Sequence, residues 1–217
     1  MAKQIFRRRI FGGIVFLLLF GIIWWAVTFV DVQAIGPEGT RVGLATLNDA
    51  VQDVTGFQNI WYQATTIEGI LALLTVACFG LLGLVQLVTR KSFAKVDLDL
   101  YFLAGCYVVM GALYVFFEKC IVNYRPMILD EGLEASFPSS HTMLVIVVFG
   151  TACFQIQKRI SNEKLMRLLI FAMYLLMAIM VIGRLLSGVH WCTDVLAGLC
   201  LGYALVLFYG AFFCKAA

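Results

Sequence analysis

Six stretches of this chain, residues 10–30, 69–89, 100–117, 142–157, 168–183 and 195–214, contain no Asp, Glu, Lys or Arg. A helix rises 1.5 Å per residue, so roughly 17–25 apolar residues cross the ~30 Å hydrocarbon core of a bilayer. A charge at mid-bilayer costs at least about 2.5–3.5 kcal/mol on an insertion scale, so charge-free runs of this length predict spanning helices. The expected fold is all-α, an integral membrane six-helix bundle in which residues 1–217 form a single domain. Only 13% of the 217 residues are charged, against about a quarter in soluble domains. The apolar content excludes disorder, and a net charge of +3 is too small to suggest nucleic-acid binding.

The first run follows Arg7, Arg8 and Arg9, as in a secretory signal, but it is longer than the usual apolar region of one, so a retained anchor helix is expected. Orientation follows from the basic residues beside each run. With the N-terminus inside, the cytoplasmic segments hold Lys3, Arg7, Arg8, Arg9, Arg90, Lys91, Lys95, Lys158, Arg159, Lys164, Arg167 and Lys215. Outside remain only Arg41, Lys119, Arg125 and Arg184. Trp24, Trp25, Trp61 and Trp191 also fall toward the outer side, where an amphipathic ring suits the interface. Both termini are therefore expected in the cytoplasm of a multi-pass cell-membrane protein.

In the longest outer segment, residues 31–66, Leu47, Ala50, Val51 and Val54 repeat at helical spacing, with Asn48, Asp49, Gln52 and Asp53 on the other side. This predicts a short amphipathic helical segment in the first outer loop, either lying on the membrane surface or packed on the bundle as a polar cap. The seven cysteines show neither C-x-x-C spacing nor zinc-type pairing with histidine, and most read as buried filler. Cys120 and Cys192 both fall near the outer surface, where a disulfide between them is the one pairing to test. Gly198 and Gly202 form a G-x-x-x-G that marks close helix packing.

Three of the four outer basic residues lie in one pattern. Read in order, the outer ends give Lys119 and Arg125-Pro126, then Pro138-Ser139-Ser140-His141, then Arg184, His190 and Asp194. Both histidines of the protein are here. Two Arg and a Lys at one point repel unless an anion sits among them, and guanidinium forks match phosphate oxygens. Ser139 adds a hydroxyl donor beside the start of a span, whose free N–H groups favour a negative ligand. His190 and Asp194 are four apart, so an aspartate bonded to one ring nitrogen would leave the other free to attack phosphorus. His141 would protonate the departing oxygen. No outer carboxylate cluster accompanies them, so metal-independent chemistry with no cofactor is expected.

These motifs resemble those of the type 2 phosphatidic acid phosphatase family, related to the vanadium haloperoxidases: Lys-x6-Arg-Pro, Pro-Ser-Gly-His and Ser-Arg-x5-His-x3-Asp. The resemblance covers residues 119–194 and the six-helix plan. It implies a phosphohistidine at His190, oriented by Asp194, with His141 as general acid and then base. Lys119, Arg125, Ser139, the Ser140 backbone N–H and Arg184 would hold the phosphoryl oxygens. Three positions depart from the pattern. Ser140 replaces a glycine and would disfavour a glycine-only backbone angle. Gly183 replaces a serine. Lys119 and Arg125 enclose five residues rather than six, which puts Glu118 in the lysine register. Either an irregular turn before Pro126 brings Lys119 in, which is the expectation adopted, or Lys119 is not a ligand.

The resulting expectation is an integral membrane phosphatase that removes a terminal phosphate from a lipid phosphate or diphosphate drawn from the bilayer, with its site on the outer face. The alternatives are a lipid-phosphate-dependent phosphotransferase and a non-catalytic lipid-phosphate-binding or transport protein.

Overall fold

The structure is a computed structural model and describes residues 2–128 and 132–216. Seven α-helices account for most of it: α1 (Ala2–Phe29), α2 (Ala45–Thr55), α3 (Asn59–Arg90), α4 (Leu98–Lys119), α5 (Ser140–Arg159), α6 (Glu163–Ser187) and α7 (Cys192–Ala216). All but α2 are long and apolar enough to span a bilayer, so the protein is a multi-pass membrane protein. The helices outrun the charge-free stretches at several ends, and α3 starts ten residues before its stretch. Nothing in the backbone stops a helix at the hydrocarbon boundary, and buried Glu68, Asp99 and Arg184 are thereby drawn into helices.

Two helices lie at the centre. Two-thirds of the most apolar window of α5 is buried inside the protein, and 61% of that of α7, against 11% for α3 and α6. Their contact is close because α7 carries glycines where it meets α5. A Cβ at Gly198 would stand 2.6 Å from the Ser139 carbonyl oxygen, and one at Gly202 would stand 2.9 Å from Ile146. The G-x-x-x-G is thus a packing device between neighbouring helices. α1 packs chiefly along α7, and α6 along α5 and α3.

Polar clusters lock the two ends of the bundle. At the end bearing the termini, Asp99 is fully buried. It accepts from Gln155 Nε2 at 2.8 Å, Lys158 Nζ at 2.5 Å and Arg159 Nη2 at 3.0 Å. Arg159 also reaches Asp97 (2.9 Å), as does Arg90 (2.8 Å), tying the turn between α3 and α4 to the end of α5. At the other end, α2 does form, and the two amides of its polar face turn inward while Asp49 and Asp53 stay exposed. Buried Asn48 donates to Gly43 O (2.9 Å) and Thr193 Oγ1 (3.0 Å), and its Oδ1 accepts from Thr193 N (3.2 Å). Gln52 donates to Gly188 O at 3.0 Å. Leu47 and Val54 face out, Val54 at 86% exposure. In a chain built for lipid, apolar side chains can face outward while amide groups seek partners inside. All seven cysteines are free thiols; Cys192 donates its S–H to Asn48 Oδ1 (3.2 Å), and Cys120 is exposed, so the two are not bridged.

Candidate active site

The loop between α4 and α5 folds back as a short antiparallel ladder. Tyr124 pairs with Ala135, Arg125 N–H donates to Glu134 O (3.1 Å), and Ser136 N–H donates to Asn123 O (3.0 Å). Extended backbone is what the residue before Pro126 requires. Phe137 is buried against the rings of Phe20 and Phe117, with centroids 5.9 and 6.1 Å away, and this anchors the second strand of the ladder. Trp191 Nε1–H donates to Tyr124 O (2.8 Å) and pins the ladder to the start of α7. Ser136 and Asn123 are thereby held over the first turn of α7.

That turn carries Asp194, which is fully buried. Its Oδ2 accepts the Trp191 backbone N–H (3.0 Å), one half of a capping box, and the Ser136 hydroxyl (2.5 Å). Its Oδ1 accepts from Asn123 Nδ2 (3.2 Å), and its carbonyl oxygen accepts the Ser139 N–H (3.0 Å). His190 stands two residues before α7. The direct His190–Asp194 bond expected from their spacing is not made: Nδ1 and Oδ2 are 3.9 Å apart, beyond hydrogen-bonding reach. Ser136 Oγ sits between them, 3.1 Å from His190 Nδ1. With its proton given to Asp194, Ser136 has a lone pair for a protonated Nδ1, so the order is His190 Nδ1–H, Ser136 Oγ–H, Asp194 carboxylate. Asp194 keeps its distance because its Oδ2 is committed to capping α7.

His190 Nε2 is buried and has no hydrogen-bond partner among the described residues. Burial, then the charges of Arg125 and Arg184 and the nearby His141, hold this imidazole well below its usual range. The ring is neutral, with Nε2 unprotonated and open to an electrophile. Arg184, in the last turn of α6, is 1% exposed. Its Nε and Nη1 lack partners among the described residues, and the Tyr62 ring lies 5.8 Å from its Cζ. Arg125 pairs through Nη2 with Glu134 (2.8 Å), but its buried Nε has no partner among the described residues. A buried donor left unbonded costs roughly 1–3 kcal/mol, more when charged. Several such donors around one neutral imidazole match a polyanion in number and charge.

Ser139 caps α5, and its buried Oγ accepts from Thr142 (3.0 Å). Ser140 begins α5 with no left-handed backbone angle, so the glycine of the family pattern is not needed here. His141 follows, with Nδ1 unpartnered, and the site of a Cβ on Gly69 of α3 is 2.9 Å from its ring. Gly183 stands where serine was expected because a Cβ there would be 2.6 Å from the Thr65 methyl and 3.1 Å from the Trp61 ring. The structure thus gathers His141, Ser139, Ser140, Arg125, Arg184, His190 and Asp194. Lys119, which an irregular turn was expected to bring in, instead ends α4 exposed, while Glu118 lines a cleft with Ser140 and His190. Ser136, Asn123, Glu134 and Glu68 were missed. Glu68 lies on α3, 5% exposed, near enough to Arg184 for their charges to interact, and neither carboxylate oxygen has a partner.

His141 and Ser140 also form one end of an apolar cavity of about 420 Å³, whose walls include Gly69 and Leu73 of α3 and Met110 and Gly111 of α4. The site therefore joins a polar, cation-lined side to an opening between lipid-facing helices.

No curated protein matches the chain. Among solved structures it is similar to the transmembrane PAP2-type phosphatidylglycerolphosphate phosphatase from Bacillus subtilis. That fold superposes with a TM-score of 0.63 at 20% identity, covering 93% of this chain and 94% of that one. The PAP2 superfamily profile matches residues 100–215, a range that includes every residue of the gathered site, and the chain belongs to the PAP2 superfamily.

Proposed function

We propose that the protein is a lipid phosphate phosphatase that works through a phosphohistidine on His190, without a metal, at the outer face of the membrane. The observation that carries this reading is the buried, unpartnered His190 Nε2 near the buried, unpartnered donors of Arg184 and Arg125, whose charges act on that ring.

His190 Nε2 attacks the terminal phosphorus as the bond to the lipid oxygen breaks, and His141 gives that oxygen its proton. The intermediate carries positive charge on the His190 ring, and its Nδ1–H is held by the Ser136 oxygen, whose own O–H donates to the Asp194 carboxylate. A water then attacks phosphorus while His141 takes its proton. The P–N bond breaks, inorganic phosphate leaves, and both histidines return to their starting states. Arg125, Arg184, the Ser139 hydroxyl and the Ser140 N–H would hold the equatorial oxygens, where preorganised donors stabilise the charge of the transition state. The outer location rests on the distribution of Lys and Arg around the spans.

The test is phosphate release from dioctanoyl phosphatidic acid by the purified protein in detergent with EDTA present. Turnover is expected, and His190→Ala should lower it by about a thousandfold or more while the protein remains folded. Strict dependence on an added divalent cation, or full activity of His190→Ala, would refute the mechanism.

A further inference from the structure

A cavity of about 280 Å³ runs from the end of the bundle that carries the termini toward its middle, away from His190. Four helices line it: α1 through Arg9, α5 from Ile146 to Gln157, α6 through Tyr174, and α7 through Tyr203 and Val206. α6 and α7 touch only sparsely, and Tyr174 is exposed, so the cavity opens on lipid between them. Its lining along α5 covers about 16 Å at 1.5 Å per residue, the depth of one leaflet of a ~30 Å hydrocarbon core.

Arg9 differs from its neighbours Arg7 and Arg8. Those two are exposed, as expected of arginines whose heads reach for water at a helix end. Arg9 is turned into the bundle. Its Cζ lies 4.7 Å from the centroid of the Phe154 ring, and its Nη1 donates to the Gly210 carbonyl oxygen and to Cys214 Sγ. Gly210 makes the notch for it: a Cβ there would stand 2.6 Å from the Phe154 ring and 3.3 Å from Nη1. Among the described residues no carboxylate pairs with Arg9, and its Nε and Nη2 have no partner. The same holds for the Gln157 amide and the Tyr174 and Tyr203 hydroxyls on the same wall. Polar groups that face hydrocarbon without a partner are costly, and a cation most of all.

A ligand that satisfies this wall has a negative head, further acceptors behind it and an apolar tail about one leaflet long. We propose that the cavity is a lipid site on the leaflet of the termini, and that it holds one anionic phospholipid. The phosphate lies at Arg9 and Gln157, the ester oxygens accept from the Tyr174 and Tyr203 hydroxyls, and one chain follows Gly150 and Val206 toward Ile146. So placed, the lipid bridges α6 and α7, which the protein itself joins only weakly. It is separate from the phosphate-holding residues at the opposite end and does not depend on their chemistry.

The test is native mass spectrometry of the full-length protein offered equal amounts of dioleoyl phosphatidylglycerol and dioleoyl phosphatidylcholine. Neither lipid carries a terminal phosphate, so neither is consumed. The wild type should retain phosphatidylglycerol with a preference of about tenfold. Saturating phosphatidylglycerol should also raise its melting temperature by about 5 °C. Arg9→Gln should bring the preference to about twofold or less. Arg8→Gln, on the exposed side of the same helix, and Arg184→Gln, at the opposite end, should keep it. A wild type that retains the two lipids equally, or an Arg9→Gln that keeps the preference, overturns the proposal. So does a preference lost in Arg184→Gln and kept in Arg9→Gln, which would put the lipid among the phosphate-holding residues. Arg9→Gln also gives up its tie to Gly210 and Cys214, so its unfolding without lipid is followed in parallel. Should it not fold, Gln157→Leu, which leaves that tie intact, decides: retention of phosphatidylglycerol should fall by about fivefold, and unchanged retention overturns the proposal.

Discussion

Removing one oxygen atom from Ser136 should disable the nucleophile without touching the substrate. In Ser136→Ala, Asp194 keeps its bonds from Trp191 N (3.0 Å) and Asn123 (3.2 Å), whereas His190 Nδ1 loses the hydroxyl 3.1 Å away, its one partner within bonding reach among the described residues. Asp194 could replace it only by closing a 3.9 Å gap, and that movement would strain its cap on α7. A buried donor left unbonded costs roughly 1–3 kcal/mol, and the ring is cationic in the intermediate, which favours the upper part of that range. At 1.36 kcal/mol per decade, the expected loss is about tenfold to a hundredfold in kcat. KM should hardly change, because Ser136 contacts the nucleophile and not the phosphate. The assay is steady-state phosphate release with a soluble short-chain lipid phosphate, with circular dichroism to confirm folding. A kcat within twofold of wild type would mean that Asp194 supports His190 without the serine, and a raised KM at unchanged kcat would make Ser136 a substrate contact.

Two further outcomes follow from the charges. The native His190 ring resists protonation while the unfolded ring titrates near pH 6.5, so the unfolded chain binds more protons below that pH. Its contribution is fully present above about pH 6.5 and is lost on acidification at up to about 1.4 kcal/mol per pH unit. Thermal unfolding of wild type and His190→Gln across pH 4–8, a range set by that titration, should show a flatter profile in the variant; parallel profiles would refute it. At the opposite end, Asp99→Ala strips the buried partner from Lys158, Arg159 and Gln155 and should cost about 3–5 kcal/mol. An unchanged melting temperature in detergent would show that this cluster does not stabilise the bundle.

The spans were legible because lipid forbids charge over a known length, and that rule needs no tertiary information. The order of the histidines and arginines was legible because few polar residues survive in such a chain. Ser136 was not: it lies 58 residues from Asp194 and 54 from His190, and the ladder of Asn123 on Ser136 that positions it leaves no periodic trace. Glu68 was missed because the apolar run was started just after it, at Gly69. For α2 the spacing predicted the helix correctly, but a period does not say whether lipid or protein faces the apolar side. The position of Lys119 depends on the turn before Pro126; α4 ends at Lys119 and residues 120–125 are not helical, so a helical step count across that gap does not say where the lysine points.

The pairing of α1 with α7 has a consequence for biosynthesis. The first helix to leave the ribosome finds its main neighbour only when the last one arrives, and Arg9 waits for the Gly210 carbonyl oxygen and Cys214. Asn48 in α2 likewise has its partners Cys192 and Thr193 at the start of that final helix. Contacts so distant along the chain form late and slowly. A chain truncated before α7 would insert its earlier helices and lack both their central packing partner and Asp194. Packing of the bundle is therefore completed only once α7 is in place.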